Sequence, residues 1–554
     1  MGTTSWRAFR ADGAAVYGLP VGEGISRGKE WGMPGRFCLA ERKAMKITTF
    51  AAIYIGSHEV SLKVFEISAN HKIRAIDYVR SNIDLGQDAY RNGVIGYELV
   101  EELCQVLKEF HTIMDGYKVD AYQAYAGNML RSVSNEPFIL DQIRLRTKID
   151  VTILSNSEYR FMEYKSLALS PEFEKMIQEG AAVVDVGGGS MQITLYQKGK
   201  AVTTQHIELG IMRIREKLSK IENLVSHYET QIQELVDKEL EIFKRIYLPE
   251  AQIQYVVVMG DYIGEIVKGF SKKEEDGTIE TERFIKLLKK WNKKSPEEIS
   301  VELNLPNEHD PLIIPSVVLY KRLAEELNAH HIWVAGTNIN DGIACDYAEK
   351  HRMIAFAHDF EADILAAAQK LAERFQSFSC HTEAVLSMCT KIFDAMKKAH
   401  GMGKRERLLL QVSAILHDCG RYISLVDQAE CSYQIIKASE IIGMTQLERE
   451  IVADTVRHNS QPVLSYQSVS DTLDQASYMV VAKLTAILKI ANAMDRSHKQ
   501  KFRDIKAVLR GRELIITVDA PESIVLEKGL FSAYADSFED VFSVKPKIRE
   551  KRVF

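Results

Sequence analysis

The sequence has no CxxC pair. Its seven cysteines stand apart at Cys38, Cys104, Cys345, Cys380, Cys389, Cys419 and Cys431. That scatter argues against a zinc knuckle or a disulfide framework and fits a reducing cytoplasm. No apolar run reads as long enough to span a bilayer, and no segment is of low complexity. An excess of positive charge is also missing. Lys and Arg number 71 against 76 Asp and Glu, for a net charge of −5. No global basic field therefore points to nucleic acid or to a membrane surface. An anionic ligand would have to meet local positive charge. What is present is an ordinary globular balance, 46% hydrophobic and 27% charged over 554 residues, enough chain for three or four domains.

Residues 1–44 are rich in Gly and Arg, show no sustained period and lack the long apolar core of a secretory signal. They are expected to be a disordered tail or a misplaced start, with Met45 to Phe50 running directly into a strand.

The most informative stretch runs from Ala181 to Ser190. An apolar run ends in Asp185, and Gly187, Gly188, Gly189 and Ser190 follow before strand alternation resumes at Met191. This reads as strand, tight turn, strand. Glycines let a backbone bend sharply and let a ligand touch main-chain N–H groups, and successive N–H groups form an anion-binding nest suited to phosphate. An aspartate just before such a turn is suited to hold Mg²⁺. The bland alternative is a glycine-rich β-hairpin.

The same plan occurs earlier, with a strand over 49–55, a turn at Gly56-Ser57 and a strand to Ile67. Two such units, each followed by alternating strands and helices, predict a duplicated α/β domain whose halves face each other across a cleft. Strands are expected at 73–79, 121–126, 151–154, 255–260 and 332–336, and helices at 97–114 and 138–148. Lys286, Lys289, Lys290, Lys293 and Lys294 cluster around an amphipathic helix, read mainly as a solvated face. From about residue 360 to 488 strand patterns vanish and helical periods take over, and strands return over 505–518.

These residues together resemble the exopolyphosphatase / guanosine pentaphosphate phosphatase family. The segment from Asp185 to Ser190 matches its most specific motif. Gly56-Ser57 falls on its first phosphate turn. Arg131 with Asn135, Ser155 with Glu158, Leu209-Gly210 with Arg213 and Glu216, and Asp341-Gly342 as a further turn fall on its other segments. The helical part resembles the HD-type domain that many members carry, with His381 and His417-Asp418 at marker positions and Glu448-Arg449 and Arg457-His458 at a later signature.

The resemblance implies a duplicated actin-like (ribonuclease H-like) ATPase fold, with one half over 45–172 and the other over 173–350. An all-α HD-type domain over 351–505 and a small α/β C-terminal appendage over 506–554 follow. It implies release of terminal orthophosphate from inorganic polyphosphate or guanosine pentaphosphate. Mg²⁺ or Mn²⁺ would be held by Asp185. Gly56, Ser57 and Gly187 to Ser190 would cradle phosphate, Arg131 would pair with its oxygens, and Glu158 would activate water. A second divalent metal at His381, His417 and Asp418 and a homodimer complete the expectation.

Departures gather at the chemistry. Tyr54 and Gln192 stand where the family has carboxylates, Glu59 where it has serine, and Asn156 where it has glycine before Glu158. A neutral phenol is a poor Mg²⁺ ligand. The later HD-type aspartate position is taken by Asn492, with Asp495 three residues on. These losses keep a second reading open, a polyphosphate or alarmone sensor with weakened turnover.

Overall fold

The computed structural model describes residues 47–551, apart from 69–71, 220–227, 249–251, 269, 271–276, 304–309, 463–464 and 471–472. The expected tail, 1–44, lies outside the described residues.

The first half is a sheet of β1 (Ile47–Ile55), β2 (Glu59–Ser68), β3 (Lys72–Asn82), β4 (Ala121–Ala126) and β5 (Val151–Ile153), in the order β3-β2-β1-β4-β5. The first three strands form an antiparallel meander, and β4 and β5 add in parallel. The second half contains β6 (Ala181–Val186), β7 (Met191–Gln197), β8 (Lys200–Ile207), β9 (Tyr255–Gly260), β10 (Thr278–Glu280) and β11 (His331–Val334). From one edge it reads β8-β7-β6-β9-β11, with the same antiparallel and parallel senses. The duplication expected from the two strand–turn–strand units is therefore present. The short edge strand β10, antiparallel to β11, has too few residues to show a period and was not foreseen.

The central strands are continuous apolar runs because both faces are covered. Phe50, Ala51, Ala52, Ile53 and Ile55 of β1 are wholly buried, as are Ala182, Val184 and Val186 of β6.

One chain segment crosses between the halves. The helix Ile339–Lys350 follows the second sheet but packs on the first. Asn340 donates to the Ala52 carbonyl at 2.9 Å and accepts from Ser61 Oγ at 2.9 Å. Lys63 Nζ lies 2.7 and 2.8 Å from the two Asp341 oxygens. Asp341-Gly342 is thus the first turn of a helix, capped reciprocally by Asn338 and Asp341, and not the separate turn expected. Gly342 is required by contact: a Cβ there would lie 2.3 Å from the Met162 carbonyl oxygen. The sequence boundary at residue 350 consequently assigns to the second half a helix that covers the first sheet.

The C-terminal region is helical from Phe360–Arg374 to Gln475–Met494. It ends in β12 (Asp504–Arg510), β13 (Glu513–Asp519), the helix Val525–Phe542 and β14 (Lys545–Glu550). Leu514, Ile516, Val518, Phe531 and Phe538 share one core with Ile415, Leu416 and Ile487. This small α/β unit shares its core with the helical domain. The helix Gln475–Met494 is long and apolar enough to cross a membrane by length and composition, contrary to the sequence reading. Its most apolar stretch is 78% buried in this core, where an all-round apolar helix belongs.

The helical domain closes on the second half. His358 lies 3.1 Å from Glu174 and 2.7 Å from Asp363. Tyr164 donates to Asp363 at 3.0 Å. Ile442 joins Tyr164, Phe173 and Tyr196 in a shared apolar cluster.

Candidate functional site

The two glycine turns meet. Gly56 N–H donates to the Glu59 carbonyl at 2.8 Å, and Gly187 N–H to the Ser190 carbonyl at 2.9 Å, closing each hairpin. A Cβ on Gly188 would fall 2.3 Å from Ser57 Oγ of the other half. Only a residue without a side chain lets the halves approach this closely. Gly210 caps the helix Ile211–Leu218 beneath the second turn. The helix N–H groups of Ile211 and Met212 donate to the Gly187 and Gly188 carbonyls at 3.1 and 2.9 Å. Among the described residues the N–H groups of Gly188 and Gly189 have no protein acceptor, which leaves them available to an anion. Arg213 pairs with Glu208 at 2.7 Å and lies over the Tyr90 ring.

Asp185 sits one residue before the end of β6, directly across from Gln192 on β7. Its carboxylate is ion-paired with Arg160, which projects from the helix Asn156–Leu167, and both side chains are buried. Arg160 also reaches the Asp185 carbonyl at 3.5 Å and Ser190 Oγ at 3.4 Å. The expected Mg²⁺ ligand is therefore already neutralised. Its neighbour Gln192 is an amide, and burial raises the Tyr54 phenol further from ionisation, with Glu163 adding to the effect. A hard divalent cation wants several oxygen ligands, carboxylates foremost. With Arg160 paired to Asp185, this donor set does not fit one.

Beside this pair is a small cavity of about 20 Å³ lined by Arg160, Glu163, Asp185 and Gln192, with Tyr196 and Met259 among its other walls. That is room for one water. Arg160 Nε, both Asp185 carboxylate oxygens, Glu163 Oε2 and Gln192 Oε1 are buried with no hydrogen-bond partner, so polar groups await a solvent molecule there. Glu163 accepts from the Tyr159 hydroxyl at 2.9 Å. Burial pushes its carboxyl up to about 7, against the opposing pull of Arg160 and the tyrosine bond.

Glu158 sits at the third position of the helix Asn156–Leu167. Its Oε2 accepts from Ser155 N at 2.9 Å and Ser155 Oγ at 2.6 Å, a reciprocal cap. Arg131 is exposed and donates to Gln446 of the helical domain and to the Ile153 carbonyl, both at 3.1 Å. Asn135 is structural, bonding both backbone groups of Ile95. His206, 3.2 Å from the Asn156 amide, is pushed down to about 4 by burial and then by Arg160, so its ring is neutral. In the lysine cluster, Lys289 pairs with Glu325 at 3.0 Å and Lys294 pairs with Glu302, as a solvated face would.

In the helical domain His381, His417 and Asp418 converge, with one ligand atom from each lying within 4.8 Å of the others. His417 Nδ1 lies 2.8 Å from the Ala414 carbonyl, which only accepts, so it carries the proton. His381 Nδ1 faces Asp495 at 2.8 Å in the same way. The two Nε2 lone pairs then face each other at 3.1 Å, which calls for a cation or proton between them. Burial pushes His417 down to about 4. These residues fit a divalent cation. Asp495 orients a ring and does not complete the donor set, and His498 stacks on His381 at 3.7 Å.

Arg160, Glu163 and His498 were not singled out from sequence.

The fold and site define a two-lobed actin-like α/β protein with a turn from each lobe at one point. Residues 63–351 match the Ppx/GppA phosphatase family, and residues 365–532 match its domain III. The chain belongs to this family. It is similar to a bifunctional 3-dehydroquinate synthase/phosphatase of Fusobacterium nucleatum, 24% identical over 208 residues. That match covers 35% of this chain and 31% of the relative, so the chain spans about a third of that relative's length. Among solved structures it is similar to an exopolyphosphatase from Cytophaga hutchinsonii, with 16% identity and a TM-score of 0.49. That likeness covers 56% of this chain and 100% of the other. An Aquifex aeolicus family member shows 19% identity and a TM-score of 0.46, covering 55% and 99%.

The raised Glu163 pKa has a thermodynamic consequence. Folding favours its protonated form, so its stabilising contribution is full below the unfolded value of 4.5 and is lost as pH rises to about 7. Denaturant melts should show wild type losing ground to Glu163→Gln between those pH values, by up to about 3 kcal/mol. A constant difference across that window would place the carboxylate in contact with solvent.

Proposed function

We propose that the chain binds the end of an inorganic phosphate chain at its paired glycine turns and hydrolyses the terminal phosphate. The observation that carries this reading is the contact of Ser57 with Gly188, which brings a turn from each lobe to one point. The Gly188 and Gly189 N–H groups would cradle the terminal oxygens. Arg131, with two donors in use, has others for the preceding phosphate. Glu158 spends Oε2 on the helix cap and keeps Oε1 for the attacking water. That water would displace the rest of the chain in line, its proton passing to Glu158 as the P–O bond breaks. Guanosine pentaphosphate offers the same terminal group and is the alternative substrate.

A second reading, binding with little turnover, is favoured by the Arg160–Asp185 pair together with Tyr54 and Gln192. Separately, His381, His417 and Asp418 would hold one divalent cation, with Asp495 orienting His381; a bound cation there would supply Lewis acidity or a structural clamp.

Orthophosphate release from long-chain polyphosphate should vanish in Glu158→Gln while retention of the polymer persists. Release at the wild-type rate would remove Glu158 from the chemistry, and retention with no release even in wild type would select the second reading. For the helical domain, equilibrium dialysis against Mn²⁺ should show an ion bound by wild type and lost in His417→Ala, with a rise in melting temperature only in wild type. Equal uptake by both proteins would put the ion elsewhere.

A further inference from the structure

We propose that Arg160 is a built-in cation that takes over, in this cleft, the charge-neutralising role of a divalent metal, so that phosphate-chain binding does not depend on added metal. The proposal rests on the phosphate-cleft reading above and specifies how that site neutralises its ligand.

The charges at the root of the second turn support it. Asp185 is the carboxylate one residue before the end of β6, and its cross-strand neighbour on β7 is the uncharged Gln192. Arg160 ion-pairs with Asp185, and both side chains are buried. The same guanidinium extends from the Asp185 carbonyl at 3.5 Å to Ser190 Oγ at 3.4 Å. Ser190 is the last residue of the glycine turn. One planar cation thus runs from the acid to the edge of the anion nest. Its position is enforced on several sides. Its helix begins at the Ser155 cap, its guanidinium lies over the Tyr159 ring at 5.6 Å, and the space beside it admits about one water.

A guanidinium is always charged, planar and able to bond a phosphate through two donors. It can therefore serve a carboxylate on one edge and a phosphate oxygen on the other. A metal at this place would have to displace Arg160 from Asp185, leaving a charged guanidinium buried without a partner. The groups that would then have to complete its shell are the neutral oxygens of Tyr54, Gln192 and Ser190 and the one unpartnered oxygen of Glu163, which lines the same cavity. Metal occupancy is opposed by the ion pair.

The test is equilibrium binding of end-labelled inorganic polyphosphate to the full chain carrying Glu158→Gln, so that bound polymer is not consumed. Binding is measured in EDTA and in Mg²⁺. The expected result is affinity in EDTA within about threefold of that in Mg²⁺. Adding Arg160→Met should weaken binding in EDTA by about tenfold or more, with Mg²⁺ restoring much of it, because Asp185 is freed for the metal. Arg160→Met with Asp185→Asn leaves no lone buried charge, which protects folding, and should bind weakly in both conditions.

Binding that requires Mg²⁺ in the chain with Arg160 intact would overturn the inference while leaving the phosphate cleft in place. So would unchanged affinity in EDTA for the folded Arg160→Met and Asp185→Asn chain. Absence of binding in both conditions would overturn the cleft reading itself, and the inference with it.

Discussion

A buried ion pair between a strand end and a facing helix decides what the cleft can do. Asp185 stands one residue before the end of β6, Arg160 comes from the helix Asn156–Leu167, and the pair stands at the root of the second glycine turn. Removing one partner of a buried pair leaves an unpaired charge and costs about 3–5 kcal/mol, whereas replacing both by neutral groups is far milder. Asp185 and Arg160 are therefore held to each other by a large penalty for separation. Everything that touches this pair is arranged around its charge. Gln192 is neutral, Glu163 is pushed toward its protonated form, and His206 is kept neutral.

The pair depends on the two-lobed architecture. Arg160 leaves the first lobe on a helix that is packed against Ile339–Lys350 through Gly342 and Met162, while Asp185 belongs to the second lobe. The same contact zone holds Ser57 against Gly188. The helical domain then closes the back of the cleft through Ile442 and the Arg131–Gln446 bond. A change in the seating of that domain would reach Arg131 directly through this bond.

Much of this was legible in the chain. The glycine turns, the duplication and the helical C-terminal region all follow from local patterns. Apolar runs ending in Gly-rich turns make buried strands, and a shift from period two to period 3.6 marks the helical domain. What was not legible depends on contacts remote in sequence. Asp341-Gly342 reads as a turn because both residues favour turns, yet a reciprocal Asn338 cap and the approach of Met162 make it helix. The pairing of Asp185 with Arg160, 25 residues earlier, is likewise invisible to a reading of the acid beside its glycine turn. Glu163 has no sequence signal of its own, because its raised pKa comes from burial beside the cavity. For the histidine cluster the residues were legible but the role of Asp495 was not, since a residue that orients a ring and one that binds a metal look alike in a sequence.

The most direct test of the account is a crystal structure of the full chain with a short inorganic polyphosphate, grown in EDTA. The account predicts a terminal phosphate on the Gly188 and Gly189 amides, with Arg160 still on Asp185 and its free edge toward a phosphate oxygen. Phosphate bound elsewhere, or Arg160 turned away from Asp185 with the acid exposed to the ligand's counter-ions, would contradict it.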